Sequence, residues 1–347
     1  LEELLPKDNE HIRHYFDGPI EPSEPQGFSP DQMIRCEECL RANPPTRVNC
    51  LYCGIALPLT EASASLRKPS LRPPDKHQLG YNSIILPQDR LLPDKELAEA
   101  AALLKLDTED LRRIVSAQLP LPLARTASQQ EAELVCERLR DFGLTAITLA
   151  DADLGLGENC VTRVRSMSFA NRGLTIRQSA FQKVADIPWS DLVLIVPGRL
   201  FVKTVEIKEL VSRRSENEIL ETSQFTTDEV LVDFYAASSA QTWRVGTSNF
   251  DFSCLEDQKT LIAGENIATL TKLIASRASR VQLDDSYKRT RQILELVWGP
   301  EQQTQSRGWR RERPGKYSLA EATVNSNESQ FTLYSRLLYY FVLQQMN

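Results

Sequence analysis

The chain has 347 residues, 41% hydrophobic and 25% charged, which is enough for two or three compact domains and too many for one uniform core. Its 47 acidic residues against 41 lysines and arginines leave a net charge of -6. That balance excludes overall attraction to phosphate backbones or anionic lipid and leaves such binding to local basic patches. The longest apolar run near the C-terminus, Leu337 to Leu343, is far shorter than the ~20 residues that span a bilayer.

Residues 1–30 carry five prolines and no sustained periodicity, which predicts an extended arm. The opening stretch LEELLPKDNE lacks the basic and apolar regions of a signal peptide. His11 and His14 are spaced to bind metal, with a solvated or docked arm as the plainer reading, and Tyr15 and Phe16 beside them are candidate docking anchors.

Residues 31–57 hold Cys36, Cys39, Cys50 and Cys53, two CxxC pairs separated by ten residues. This spacing brings four thiolates around one tetrahedral metal ion and leaves no position open for water, so the ion, one structural Zn2+, would clamp the chain and not act as a Lewis acid. A rubredoxin-like iron site and a dithiol redox pair are the competing chemistries. The remaining cysteines, Cys136, Cys160 and Cys254, are isolated, which fits a reducing, cytoplasmic setting and no disulfide framework. The stretch CEECLRANPPTRVNCLYCGIAL resembles the small bacterial zinc-ribbon modules written CxxCGxxNPxxxxFCxxCGxxL, with Asn43, Pro44, Pro45 and Gly54 at matching places. The resemblance implies two tight knuckles whose amides point at the sulfurs; Leu40 departs from it by replacing the first glycine.

Residues 58–80 are rich in proline, serine and charge and read as a linker, with His77 in it. Over 81–150 the elements follow the order β-α-α-β-α-β. YNSIIL is a strand, KELAEAAALLKL and TEDLRRIVSAQ are helices with Asp107 capping the second, and LPLARTA is a strand. Ser128 and Glu131 then form a capping box for a helix that Gly143 ends before the strand LTAITL. This order, and the stretch SQQEAELVCERLRDFGLTAITL above all, resembles the C-terminal domain of the bacterial ribosomal stalk protein and the related Clp-protease adaptor fold. Both are docking modules without catalytic groups, so the resemblance implies protein binding. Residues 151–160 read as a solvated linker, since Asp151, Asp153 and Glu158 are too few oxygen ligands for a calcium loop.

Residues 161–347 begin with short β-branched or aromatic runs, TRVRSMSF, LTIRQ, DLVLIV, RLFVKTVEI, EVLVDFYA and TWRVGT, with an insertion at 212–224. Helical patterns follow in ENIATLTKLIASRA, in DSYKRTRQILELVW and from about Asn327, where Phe331, Tyr334, Leu338 and Phe341 mark a stripe. Six strands followed by amphipathic helices resemble a PH or GRAM-type domain, and IPWSDLVLIVPGRLF is similar to the tryptophan-bearing strand start of bacterial members, which makes Trp189 a core residue.

Catalytic signals are weak. All three histidines precede residue 78, no phosphate-binding glycine loop occurs, and a carboxylate pair such as Asp191 and Glu206 has nothing to single it out. One basic patch, SRGWRRERPGK at 306–316, gathers Arg307, Arg310, Arg311 and Arg313 around Trp309, suited to a partner protein, nucleic acid or a lipid interface; a charged loop is the plainer reading. The sequence therefore predicts an α+β multidomain protein: a zinc ribbon, a small α+β docking domain and a PH-like bent sheet with C-terminal helices. It predicts a non-enzymatic adaptor or complex subunit, cytoplasmic or at the cytoplasmic face of a membrane complex. Nucleic-acid association through Arg35, Arg41, Arg47 and the 306–316 patch, and peripheral membrane recruitment through the PH-like domain, are the alternatives.

Overall fold

The computed structural model describes residues 27–347 apart from 59, 61–62, 64–65, 67–68, 70, 76–77, 89–91, 158–159, 180–181, 213–217, 314–315 and 347. Strand residues 179, 182–184, 208–212, 218–221, 307–313 and 316–320 are described as backbone. His11, His14, Tyr15 and Phe16 of the expected arm, and His77 of the expected linker, lie outside the described residues. The chain divides into two compact units, Leu1–Arg67 and Lys68–Asn347.

In the first unit, a 3-10 turn at Pro30–Gln32 leads into β1 (Ile34–Arg35), which pairs antiparallel with β2 (Ala42–Asn43). A second antiparallel bridge joins Asn49 to Ala56. The apolar core is Ile34, Cys36, Cys50 and Leu57, with Cys39 packed against it. Two strands of two residues cannot hold themselves together in water.

The second unit is mixed α+β. It opens with β3 (Tyr81–Ile85), α1 (Asp94–Leu104), α2 (Thr108–Ser116), β4 (Leu121–Thr126), α3 (Gln129–Asp141) and β5 (Ala146–Ala150). The order is the one expected, and the three strands form an antiparallel sheet, β4-β3-β5. Local signals act as anticipated: Asp107 accepts from the Glu109 amide, Ser128 accepts from the Glu131 amide, and Gly143 turns with φ +84°. The Glu131 carboxylate also accepts from the Leu71 amide at 2.6 Å, so the chain ten residues before this segment is tied to the first turn of α3.

The rest is built on long strands. β6 (Val161–Arg163) is followed by the antiparallel sheet β7 (Ser166–Ala170), β8 (Gly173–Ser179) and β9 (Gln182–Pro188). β10 (Leu192–Ser212) and β11 (Glu218–Ala236) then pair almost end to end, and β12 (Thr242–Gly246) follows. After α4 (Ala263–Arg277), β13 (Gln282–Leu283) and α5 (Tyr287–Leu294) come β14 (Glu301–Arg313), β15 (Lys316–Ser326) and α6 (Glu328–Met346). The large sheet is a curled half-barrel of order β14-β15-β10-β11-β12-β6, with β13 beside β10. Helix α4 buries Ile267, Leu270 and Ile274 in one cluster with Val232, Phe234 and Trp243. Trp189 lies in that cluster and donates to the Ala170 carbonyl at 2.9 Å, a core role as expected.

Four expectations are corrected. DLVLIV and RLFVKTVEI are one strand, and the expected insertion at 212–224 is, where described, the continuation of β10 and β11: paired backbone supplies regularity that its mixed composition does not advertise. Where described, the 306–316 patch is strand and not loop, residues 306–313 on β14 and Lys316 on β15, which pairs in turn with β10. Asp151, expected in a solvated linker, is fully buried and accepts from Gly80 N (2.7 Å), Asn82 Nδ2 (2.8 Å) and Arg125 (2.5 Å). Trp298 Nε1 donates to the other end of Asn82 at 3.0 Å. Residues 81–150 and the C-terminal helices thus contribute to one apolar core, in which Ile84, Leu111 and Leu139 join Tyr287, Phe331 and Tyr334.

The fourth concerns α6, which is buried on all sides from Gln330 to Tyr339 where a single apolar stripe was expected. Its polar face is buried because each group finds a partner. Ser335 donates to Asp233 (2.8 Å) and meets the Tyr235 hydroxyl at 2.6 Å. Gln330 donates to the Trp298 carbonyl (2.9 Å) and accepts from Tyr287 (2.8 Å). Arg336 donates to Thr242 Oγ1 (2.6 Å), to Ala240 O (2.9 Å) and to Leu154 O.

Candidate metal centre

The four clustered cysteines lie on two turns with the same hydrogen-bond pattern. Leu40 N donates to Cys36 O at 2.9 Å and Cys36 N to Arg41 O at 3.0 Å; Gly54 N donates to Cys50 O at 3.0 Å and Cys50 N to Ile55 O at 2.7 Å. Each turn closes on a residue in the left-handed region, Gly54 at φ +76° and Leu40 at φ +58°. Leu40 therefore takes the conformation that Gly54 takes in the second turn, at the steric cost a Cβ incurs there.

Asn43 locks the turns together. It is fully buried, its Nδ2 donates to Arg41 O (2.9 Å) and to Cys50 Sγ (3.5 Å), and its Oδ1 accepts from Leu51 N (2.8 Å). The sequence marks Asn43 only as a matching position; its bond to a ligand sulfur is a structural finding.

The four sulfurs all lie within 4.8 Å of one another. Cys36 and Cys53 are 3.5 Å apart, as are Cys39 and Cys50. A tetrahedron of sulfurs about 2.3 Å from a central ion has edges of roughly 3.8 Å, so the cluster is close to the size a metal requires. No disulfide joins any of the seven cysteines. The four could hold one metal ion, and the arrangement is compatible with a zinc-ribbon-like site.

The sulfurs differ in acidity. Burial raises the Cys50 pKa, but the Cys53 and Tyr52 amides and the Cys39 and Asn43 side chains outweigh it and bring the thiol down to about 6. For Cys53 the Ile55 amide favours the thiolate, yet burial and the neighbouring sulfurs, Cys36 first, push it up to about 12. Sulfurs this close share protons, and an ion bound among them would displace those that remain.

Around the turns, Leu40 (67% exposed), Leu51 (51%), Tyr52 (57%) and Ile55 (46%) present apolar surface, with the Arg41 guanidinium 4.6 Å from the Tyr52 ring centroid. Arg35 and Arg47 are exposed.

Other candidates fall elsewhere. Arg307, Trp309, Arg310, Arg311 and Arg313 lie on β14, which ends the strand order of the large sheet; Trp309 pairs in register with Leu319 and Arg310 with Ser318. Asp191 caps the start of β10 by accepting from Ser238 N (3.1 Å) and its hydroxyl (2.5 Å). Glu206 is far along the same strand, roughly 50 Å away at ~3.3 Å per residue, so the two carboxylates do not form an acid-base pair. Cys136 is buried in the main core, and burial raises its thiol pKa. No described helix is long and apolar enough to cross a membrane. Comparison of the chain with protein-family models, curated proteins and solved structures finds no match.

Proposed function

We propose that the chain is a non-enzymatic, zinc-containing adaptor or structural subunit of a larger complex, working by protein-protein contact in a reducing, cytoplasmic compartment. The observation that carries this reading is the closed set of four sulfurs with exposed apolar residues on the turns that hold it. Four thiolates satisfy Zn2+ completely, so the ion would fix the shape of Leu40, Leu51, Tyr52 and Ile55 without offering a coordination position to a substrate. A rigid patch with an aromatic and an arginine is the composition that dominates binding energy at protein interfaces. In this reading residues 31–57 are a zinc ribbon, and the curled sheet closed by α4 is a PH-like module that supplies further contacts; linked modules add their attachments through effective concentration.

The test is affinity purification of the full chain, with partners and metal both identified by mass spectrometry. A stoichiometric protein partner that is lost on Leu51→Ser with Tyr52→Ser, while one zinc per chain is retained, supports the proposal. Retention of the partner by that double variant, absence of zinc, or robust turnover by the isolated chain contradicts it.

A further inference from the structure

A cleft of about 440 Å³ opens in the second unit between β10, the Val230 position of β11 and the start of α5. That volume lies within the range of small-molecule sites. Part of its lining is apolar: Phe201 and Val230 from the strands, and the ring of Tyr287 from the helix. Beneath the strand, Gly198 leaves the space that the Phe331 ring fills; a Cβ there would lie 2.3 Å from a ring carbon.

Three cations gather beside these apolar residues. The Arg291 guanidinium is 4.3 Å and that of Arg199 5.5 Å from the Phe201 ring centroid, and Lys288 stands one helical turn before Arg291. Their neutralisation is uneven. Arg199 is held by Asp228, donating from Nε at 2.6 Å, whereas Arg291 has Glu295 only at 4.0 Å. Lys288 makes no hydrogen bond or ion pair among the described residues, and Asp285 is the one acidic residue lining the cleft. Arg291 and the unpaired ammonium of Lys288 lie one helical turn apart with little opposing charge, and an anion seated between them relieves their repulsion.

We infer that this cleft binds an amphiphilic anion, a carboxylate or phosphate head group held by Lys288 and Arg291 with its apolar body against Phe201, Val230 and Tyr287. The ligand can come from two sources, a free small molecule or a membrane lipid, which share this chemistry. The site lies outside the cysteine unit and does not depend on the adaptor reading.

Isothermal titration of the full chain with octanoate, and with octanol as the uncharged control, tests the head-group requirement. Co-sedimentation with phosphatidylcholine vesicles, with and without phosphatidate, tests the second source. Octanoate is expected to bind more tightly than octanol, with affinity reduced about tenfold by Lys288→Gln or Arg291→Gln. Val230→Phe, which fills the cleft and leaves every charge in place, is expected to abolish binding. Phosphatidate-dependent sedimentation lost in the same variants supports the site with a bilayer lipid as its ligand; octanoate binding without sedimentation supports it with a free ligand. Octanol binding as tightly as octanoate, indifference to all three substitutions, or binding of neither probe would overturn the inference.

Discussion

The two units solve the same stability problem by different means. In Leu1–Arg67 the described apolar core amounts to Ile34, Leu57 and the buried cysteines, far too little burial to offset the chain entropy of the ordered turns. In Lys68–Asn347 a broad apolar core surrounds α6, and the charges inside it are ion-paired, as Arg244 is, or hydrogen-bonded, as Arg336 is. Arg244, fully buried, donates from Nε and Nη2 to the two oxygens of buried Asp233 at 2.7 and 2.8 Å, and its guanidinium lies 4.9 Å from the Phe331 ring centroid. Burial disfavours the Arg244 charge, but Asp233 more than offsets this and raises its pKa. A small unit can replace a core by a metal, whereas a large one must find partners for the charges that it buries.

The comparison breaks most visibly on metal removal. Structural zinc contributes an apparent ~10 to 16 kcal/mol to modules of this size, so a chelator, or Cys50→Ser, is expected to unfold residues 34–57. Amide hydrogen exchange should show protection lost there and unchanged at α6. In the second unit, Asp233→Ala strands the Arg244 charge and is expected to cost about 3 to 5 kcal/mol by urea denaturation, with ribbon zinc content unaffected.

Smaller changes sharpen the contrast. Gly198→Ala pushes a methyl into the Phe331 ring and is expected to cost about 1 to 3 kcal/mol, again by denaturation of the large unit. Leu40→Gly relieves a left-handed leucine and is expected to stabilise the zinc-loaded ribbon by roughly 0.5 kcal/mol, read as slower loss of metal to a chelator.

What was legible in the sequence follows the same division. Local signals were sufficient wherever local chemistry decides structure: the cysteine spacing, the caps at Asp107 and Ser128, and Gly143 all act as their residue types imply. The capped helices and the strands of 81–150 follow their periodicity. Long-range pairing was not legible. The β14 sequence EQQTQSRGWRRER has no apolar alternation, and it is a strand because β15 and β10 offer a ladder. The burial of Asp151 is equally hidden, since its partners Gly80, Asn82 and Arg125 lie 26 or more positions away. At the metal centre the ligands were readable, whereas Asn43 reaching Cys50 and Leu40 standing in for glycine required the backbone.

The central claim is that four sulfurs enclose one zinc ion and so shape a contact surface. X-ray absorption at the zinc edge on the purified full chain tests it most directly. The account predicts one zinc per chain with four sulfur neighbours at about 2.3 Å. Nitrogen or oxygen ligands, an open coordination position, or no stoichiometric zinc would contradict it.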